Sequence, residues 1–186
     1  MPCGARRIYI ISNPKDISKR SDIERQKPHI DKEVPMIELA TKHDRFDINR
    51  LARQVHEMHV QWRPDLFTMP EELFPEEYYS ELLKSRELYV AKLNGTVAGF
   101  CWLKMRKSAD IGRVPRKIME VHQLCVDEAL RNHGIGTQMM EEVRVLAKAF
   151  GCTDMQLGVY PQNDEAVSFY QKCGFMIRSI DMQRKV

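Results

Sequence analysis

Apolar residues recur along the chain in two rhythms, and each predicts a different kind of element. In "DINRLARQVHEMHVQW", Ile48, Leu51, Ala52, Val55, Met58, His59 and Trp62 fall on one stripe at helical spacing, which predicts an amphipathic helix. The preceding "MIELAT" alternates as a strand does. Pro64, Pro70 and Pro75 then segment the chain before a second, short helix in "EEYYSELLKS". "ELYVAKL" and "TVAGFCWLKMR" flank Asn94-Gly95, a two-residue turn that accepts positive φ, so they predict a hairpin. A loop over 108–116 leads into the strand "KIMEVHQLCV". Ile135, Met139, Val143, Leu146, Ala147 and Phe150 write a long helix from Gly134, closed by Gly151. "DMQLGVY" alternates again, and a last helix from about Asn163 carries Ala166, Phe169, Tyr170 and Cys173 before Gly174 stops it. "FMIRSIDMQRKV" reads as a closing strand. This order predicts an α+β (mixed α/β) fold with one central sheet flanked by about four helices.

Composition changes this picture little. A chain of 186 residues, 43% hydrophobic and 30% charged, suits one domain with a sizeable core. Residues 1–35 lack periodicity and hold eight Lys/Arg against five Asp/Glu, so they are expected to form a flexible basic extension to a domain over 36–186. Met36 is a candidate internal start. The remaining 151 residues hold 21 charges of each sign, which does not support a nucleic-acid footprint. Cys3, Cys101, Cys125, Cys152 and Cys173 are odd in number and scattered, so reduced thiols and no metal site are expected. No apolar run approaches the ~20 residues of a membrane helix, and the N-terminal one is too short for a signal peptide. A cytoplasmic protein without membrane contact is expected.

The chemistry gathers at "RNHGIGTQMM", where two glycines one residue apart stand at the mouth of the long helix. A helix N-terminus exposes unpaired N–H groups and partial positive charge, and glycine lets an anion approach the backbone closely. Taken alone, G-x-G is more simply a loop-to-helix turn. Two phosphate motifs are excluded: there is no G-K-[ST], and Met139 occupies the third glycine position of G-x-G-x-x-G.

The surroundings carry more. R-x-x-G-x-G, five residues after a strand ending in Leu124-Cys125-Val126 and followed by N-x-x-A-x-x-F-Y-x-x-x-G-F from Asn163 to Phe175, resembles the GCN5-related N-acetyltransferase (GNAT) superfamily. "VHEMHVQWRPDLF" resembles a bacterial branch whose acceptors are mostly unassigned. The resemblance covers 36–186 and implies the acyl-CoA N-acyltransferase fold, a mostly antiparallel sheet splayed between the fourth and fifth strands. It implies acetyl-coenzyme A as co-substrate, cradled by the backbone of Arg131, Asn132, His133, Gly134, Ile135, Gly136 and Thr137. The strand end at Leu124, Cys125 and Val126 lines the pantetheine arm, with main-chain groups of Leu124 and Val126 pairing to it. Asn163 matches a cofactor contact and reads equally as a helix N-cap.

The same resemblance gives catalytic candidates. Tyr170 matches the family tyrosine that protonates the departing thiolate. Glu120 and His122 match positions where branches carry a general base, and they share strand parity in the absence of a bulge. Glu120 reads more simply as a solvated or salt-bridged strand residue, and His122 also reads as a structural histidine. A backbone N–H near Leu124 is the implied oxyanion donor. The acceptor region is implied around His56, His59, Trp62, Arg63, Asp65 and Phe67, with Glu71, Glu72, Glu76 and Glu77 nearby. The expected activity is N-acetylation of a primary amine, of a small molecule by preference. Acetylation of a protein lysine or N-terminus, or a non-catalytic acyl-CoA sensor, are the alternatives, and a homodimer is compatible with all three.

Overall fold

The Asn94-Gly95 turn lays down the first two long strands of the sheet. In a computed structural model of the chain, which describes residues 36–184, the elements are β1 (Ile37–Leu39), α1 (Arg45–Trp62), α2 (Glu76–Lys84), β2 (Leu88–Leu93), β3 (Thr96–Ser108), β4 (Arg116–Val126), α3 (Ile135–Ala149), β5 (Asp154–Gln156) and α4 (Asp164–Lys172). The basic extension expected over 1–35 lies outside the described residues. Asn94 and Gly95 both adopt positive φ, 50° and 78°, and Leu93 pairs directly with Thr96. The sheet runs β1-β2-β3-β4-β5, antiparallel except for the parallel pair β4 and β5.

Each sheet face carries its own core, because alternate strand residues point opposite ways. On one face Ile48, Leu51 and Val55 of α1 and Tyr79 and Leu82 of α2 pack on Leu88, Val90, Phe100 and Cys125. On the other, Met139, Val143 and Ala147 of α3 and Ala166 and Tyr170 of α4 pack on Ala91, Cys101, Val121 and Leu124. Gly99 of β3 lets α3 approach, since a Cβ there would lie 2.6 Å from the Cys125 carbonyl oxygen and 2.9 Å from the Met139 sulfur. Several α1 side chains hold the α1–α2 loop, among them Arg53, which donates to the Glu71 carbonyl at 2.6 Å, and Asn49. Asn49 Oδ1 accepts from the Leu73 and Phe74 N–H groups at 3.0 and 2.8 Å, and its Nδ2 donates to the Phe74 carbonyl at 3.0 Å.

Two sequence expectations need correction. "DMQLGVY" supplies only three strand residues, and Leu157 to Tyr160 leave the sheet. "FMIRSIDMQRKV" forms no strand within 175–184, where Met176, Ile177, Ile180 and Met182 stand exposed. The causes are linked: a strand joins an edge that offers it a row of amides, and a three-residue β5 offers very few. No helix among the described residues is long and apolar enough to cross a membrane.

Candidate functional site

The site begins where the sheet parts. β4 pairs with β5 only through Ile118, Met119 and Glu120, opposite Asp154, Met155 and Gln156. Beyond Glu120, β4 runs on to Val126 paired with β3 alone. The Asp127 N–H donates to the Ala98 carbonyl at 2.9 Å, so Asp127 and, two residues back, Cys125 turn their amides towards β3. Leu124 and Val126 have the opposite parity and turn theirs to the edge that β5 has left. A bulge lies just before them: Trp102 pairs with Gln123 and Leu103 with Val121, leaving His122 as the extra residue.

The loop after β4 is clasped from α1. Arg50 pairs with Asp127, whose Oδ1 accepts from the Ala129 N–H at 3.1 Å. These contacts hold the Asp127 carboxyl below its usual range despite the opposing effect of burial. Gln54 Oε1 accepts from the Glu128 N–H at 3.2 Å and from Arg131 Nη2 at 3.4 Å, while Arg131 Nε donates to the Val126 carbonyl at 3.2 Å. The Arg131 guanidinium is therefore turned inward. His133 Nδ1 lies 2.8 Å from the Arg131 carbonyl, an arrangement that requires the nitrogen to be the donor. Asn132 and Gly134 take positive φ, 64° and 85°, and α3 starts at Ile135.

The first α3 bond runs from the Gln138 N–H to the Gly134 carbonyl at 3.0 Å, so Ile135, Gly136 and Thr137 present N–H groups without intrahelical partners. The two glycines thus differ in purpose. Gly134 is required by its left-handed backbone. At Gly136 a Cβ would touch the Phe169 ring at 3.4 Å and Val126 Cγ2 at 3.6 Å, so glycine keeps the backbone surface bare between those two elements. Asn163 is buried as the α4 N-cap, its Oδ1 accepting from the Ala166 N–H at 3.1 Å.

Glu120 and His122 come together on the α1 side of the parting. Glu120 Oε1 accepts from Arg106 Nε at 2.5 Å, and Arg106 Nη2 donates to Gln156 Oε1 at 3.2 Å, so one β3 arginine spans all three strands at the last paired position. His122 Nε2 lies 3.5 Å from Glu120 Oε2, and its ring stacks on Trp102 at 4.8 Å. Trp102 is itself fixed by donating to Glu87 at 3.0 Å. Tyr170 comes from the other face. It is 2% exposed, and its hydroxyl has no hydrogen-bond partner among the described residues. Burial, with neighbouring thiols adding, pushes its phenol well above the ordinary value, so it stays protonated.

The α1 helix closes the remaining side. Cys125 Sγ donates to the Leu51 carbonyl at 3.3 Å, over β4. Two turns on, His59 meets Tyr160, on the segment that β5 becomes, with ring centroids 5.7 Å apart. Phe67 and Trp62 join them, at 5.3 and 5.7 Å from His59. Burial and the adjacent His56 push His59 down to about 3, so its ring is neutral at physiological pH. Arg63 holds Asp65 through two bonds of 2.8 Å. Sequence reasoning missed Arg50, Gln54, Gly99, Arg106 and Tyr160. Only Tyr160, an aromatic at a strand end, carries any local signal. Among the described residues, no group of three or more His, Cys, Asp or Glu could hold a metal ion.

Known proteins share this architecture. The Acetyltransferase (GNAT) family model matches residues 53–175. An uncharacterized N-acetyltransferase of Methanocaldococcus jannaschii is 31% identical over 100 residues, covering 53% of this chain and 43% of that protein. The N-alpha-acetyltransferase RimI of Mycobacterium tuberculosis is 28% identical over 129 residues, 69% of this chain and 77% of that one. The chain spans 43% and 60% of the length of the M. jannaschii protein and of a Bacillus subtilis uncharacterized N-acetyltransferase. Among solved structures, a mutant of the BH1408 protein of Bacillus halodurans superposes with TM-score 0.76 at 26% identity, over 81% of this chain and 99% of that one. The aminoglycoside acetyltransferase AAC(6')-Iy, bound to a coenzyme A bisubstrate analog, shares the fold with TM-score 0.59 at 19% identity, over 81% and 97%.

Proposed function

Since the chain belongs to the acetyltransferase (GNAT) family, we propose that it transfers acetyl from acetyl-coenzyme A to the primary amine of a small molecule. The observation that carries this reading is the parted edge of β4, with the amides of Leu124 and Val126 turned into it and, across the sheet, the buried Tyr170 hydroxyl, which has no hydrogen-bond partner among the described residues. A buried hydroxyl without a partner costs free energy, so a group that uses it is expected. The N–H groups of Ile135, Gly136 and Thr137, with the loop from Arg131, would hold the pyrophosphate. Leu124 and Val126 would pair with the pantetheine amides as an added strand would, beside Cys125, and Asn163 would border the arm. Bound there, acetyl-coenzyme A supplies an acetyl group activated as a thioester.

The protein's own task is proton management. An alkylamine with a pKa of about 10.4 must lose a proton before it attacks. The Glu120 carboxylate, fixed by Arg106, and the adjacent His122 ring are the groups positioned to take that proton, directly or through water. The protonated phenol of Tyr170 returns a proton to the thiolate, whose pKa of about 8.5 makes this step helpful without being indispensable. A second reading, acetylation of a protein N-terminus, is favoured by the similarity to the N-alpha-acetyltransferase. Thiol release from acetyl-coenzyme A, followed across amines and peptides, tests both. Acceptor-dependent release is expected, with small amines exceeding peptides. Faster release with peptides would favour the second reading, and cofactor binding without release on any acceptor would favour a sensor.

A further inference from the structure

We propose that the α1 wall selects a primary amine carried on an aromatic or comparably flat apolar body with no second positive charge, in preference to a polyamine or an aminoglycoside. This deepens the acetyltransferase reading and rests on it for the location of the reacting thioester. The argument starts from where the wall stands. α1 bridges the parting, touching β4 through Leu51 and Cys125 at one end and the β5 extension through His59 and Tyr160 at the other. A molecule entering from this side to reach Glu120 and His122 therefore passes rings.

Those rings are partly covered by one another. Phe67 packs edge-on to His56 at 5.7 Å and to Tyr160 at 6.1 Å, so part of each face is covered by a neighbouring edge. Such an assembly favours another flat apolar surface that can join the edge-to-face pattern. His56 Nε2 faces the Thr68 carbonyl at 2.7 Å, so it serves the loop as a donor.

Charge bookkeeping points the same way. A polycation is bound by carboxylates, and five of those on the surrounding elements are held by the protein's own guanidinium groups. Arg63 holds Asp65, Arg45 holds Glu72 and Glu76 at 2.8 and 2.9 Å, Arg50 holds Asp127, and Arg106 holds Glu120. A second ammonium would have to compete with an arginine at each of them. Glu57, Glu71 and Glu77 are exposed, where attraction is weak and screened by salt.

The test is steady-state thiol release by the full chain with 2-phenylethylamine, hexylamine, spermidine and neamine, beside calorimetric titration of each amine into the protein. We expect kcat/KM for 2-phenylethylamine to exceed that for spermidine and neamine at least ~10-fold, the scale of one good aromatic contact. Phe67→Leu, which keeps apolar bulk and loses the ring, is expected to raise KM for 2-phenylethylamine several-fold with kcat and the KM for acetyl-coenzyme A unchanged. Spermidine or neamine as the better acceptor, or a KM indifferent to Phe67→Leu, would overturn the inference and leave the acetyltransferase reading standing. Absence of thiol release with every amine counts against that reading alone. In that case calorimetry decides: saturable binding of 2-phenylethylamine weakened by Phe67→Leu supports the wall, and its absence refutes it.

Discussion

The two halves of the site are built on opposite plans. The β4–α3 half of the proposed site offers main-chain groups drawn from one contiguous run, Leu124 to Thr137, whose geometry is set by a strand edge and a helix start. The α1 half works with side chains gathered from distant parts of the chain, His59 against Tyr160 and Gln183 reaching Arg63 at 3.0 Å. A function performed by backbone leaves its mark in sequence as glycines and spacing. One performed by assembled side chains leaves none until the fold has brought them together.

The comparison can be broken from the α1 side first, where the largest effect is expected. His59 has a folded pKa of about 3 against an ordinary 6.5, so below pH 6.5 the unfolded chain binds a proton that the folded chain refuses. Stability is then lost as pH falls from 6.5 towards 3, by about 3 kcal/mol between pH 7 and pH 4. Urea unfolding at the two pH values should show that loss in the wild type and a smaller one in His59→Gln. Equal losses would mean that His59 is not buried neutral.

Next in size, Tyr170→Phe is expected to lower kcat by about 100-fold, the lower end of general acid catalysis, with the KM for acetyl-coenzyme A unchanged. A purely packing tyrosine would lose stability and leave kcat alone. Gly134→Ala forces a side chain into a left-handed conformation and should cost about 1–2 kcal/mol in urea unfolding, whereas Gly136→Ala, at contact distance from Phe169, should cost less and act mainly on cofactor affinity. The smallest effect is expected where the halves join. Gln54→Ala removes one acceptor from the Glu128 amide and the Arg131 guanidinium, and should weaken acetyl-coenzyme A binding by up to about tenfold, read by calorimetry.

Legibility in the sequence followed the same division. α3 was readable because Ile135, Met139, Val143 and Ala147 repeat at helical spacing and all end up buried. The hairpin was readable because Asn94-Gly95 demands a specific backbone. The closing strand was misread: alternation in "FMIRSIDMQRKV" describes a willing strand, and pairing depends on the edge that another segment offers. The bulge at His122 carries no glycine or proline to announce it. It leaves His122 and Glu120 on one side, as parity suggested, while Leu124 changes parity yet keeps the face of Val121. Asn49 and Arg106 were invisible for a different reason, since an asparagine inside a helix and an arginine on a strand have no local signature for partners 25 and 50 residues away.

The account rests on the open edge of β4, and amide hydrogen exchange of the full chain with and without acetyl-coenzyme A addresses it directly. The account predicts new protection at Leu124, Val126, Gly136 and Thr137, with Cys125, already turned to β3, unchanged. Exchange unaltered at Leu124, Val126 and the start of α3 under saturating acetyl-coenzyme A would contradict it.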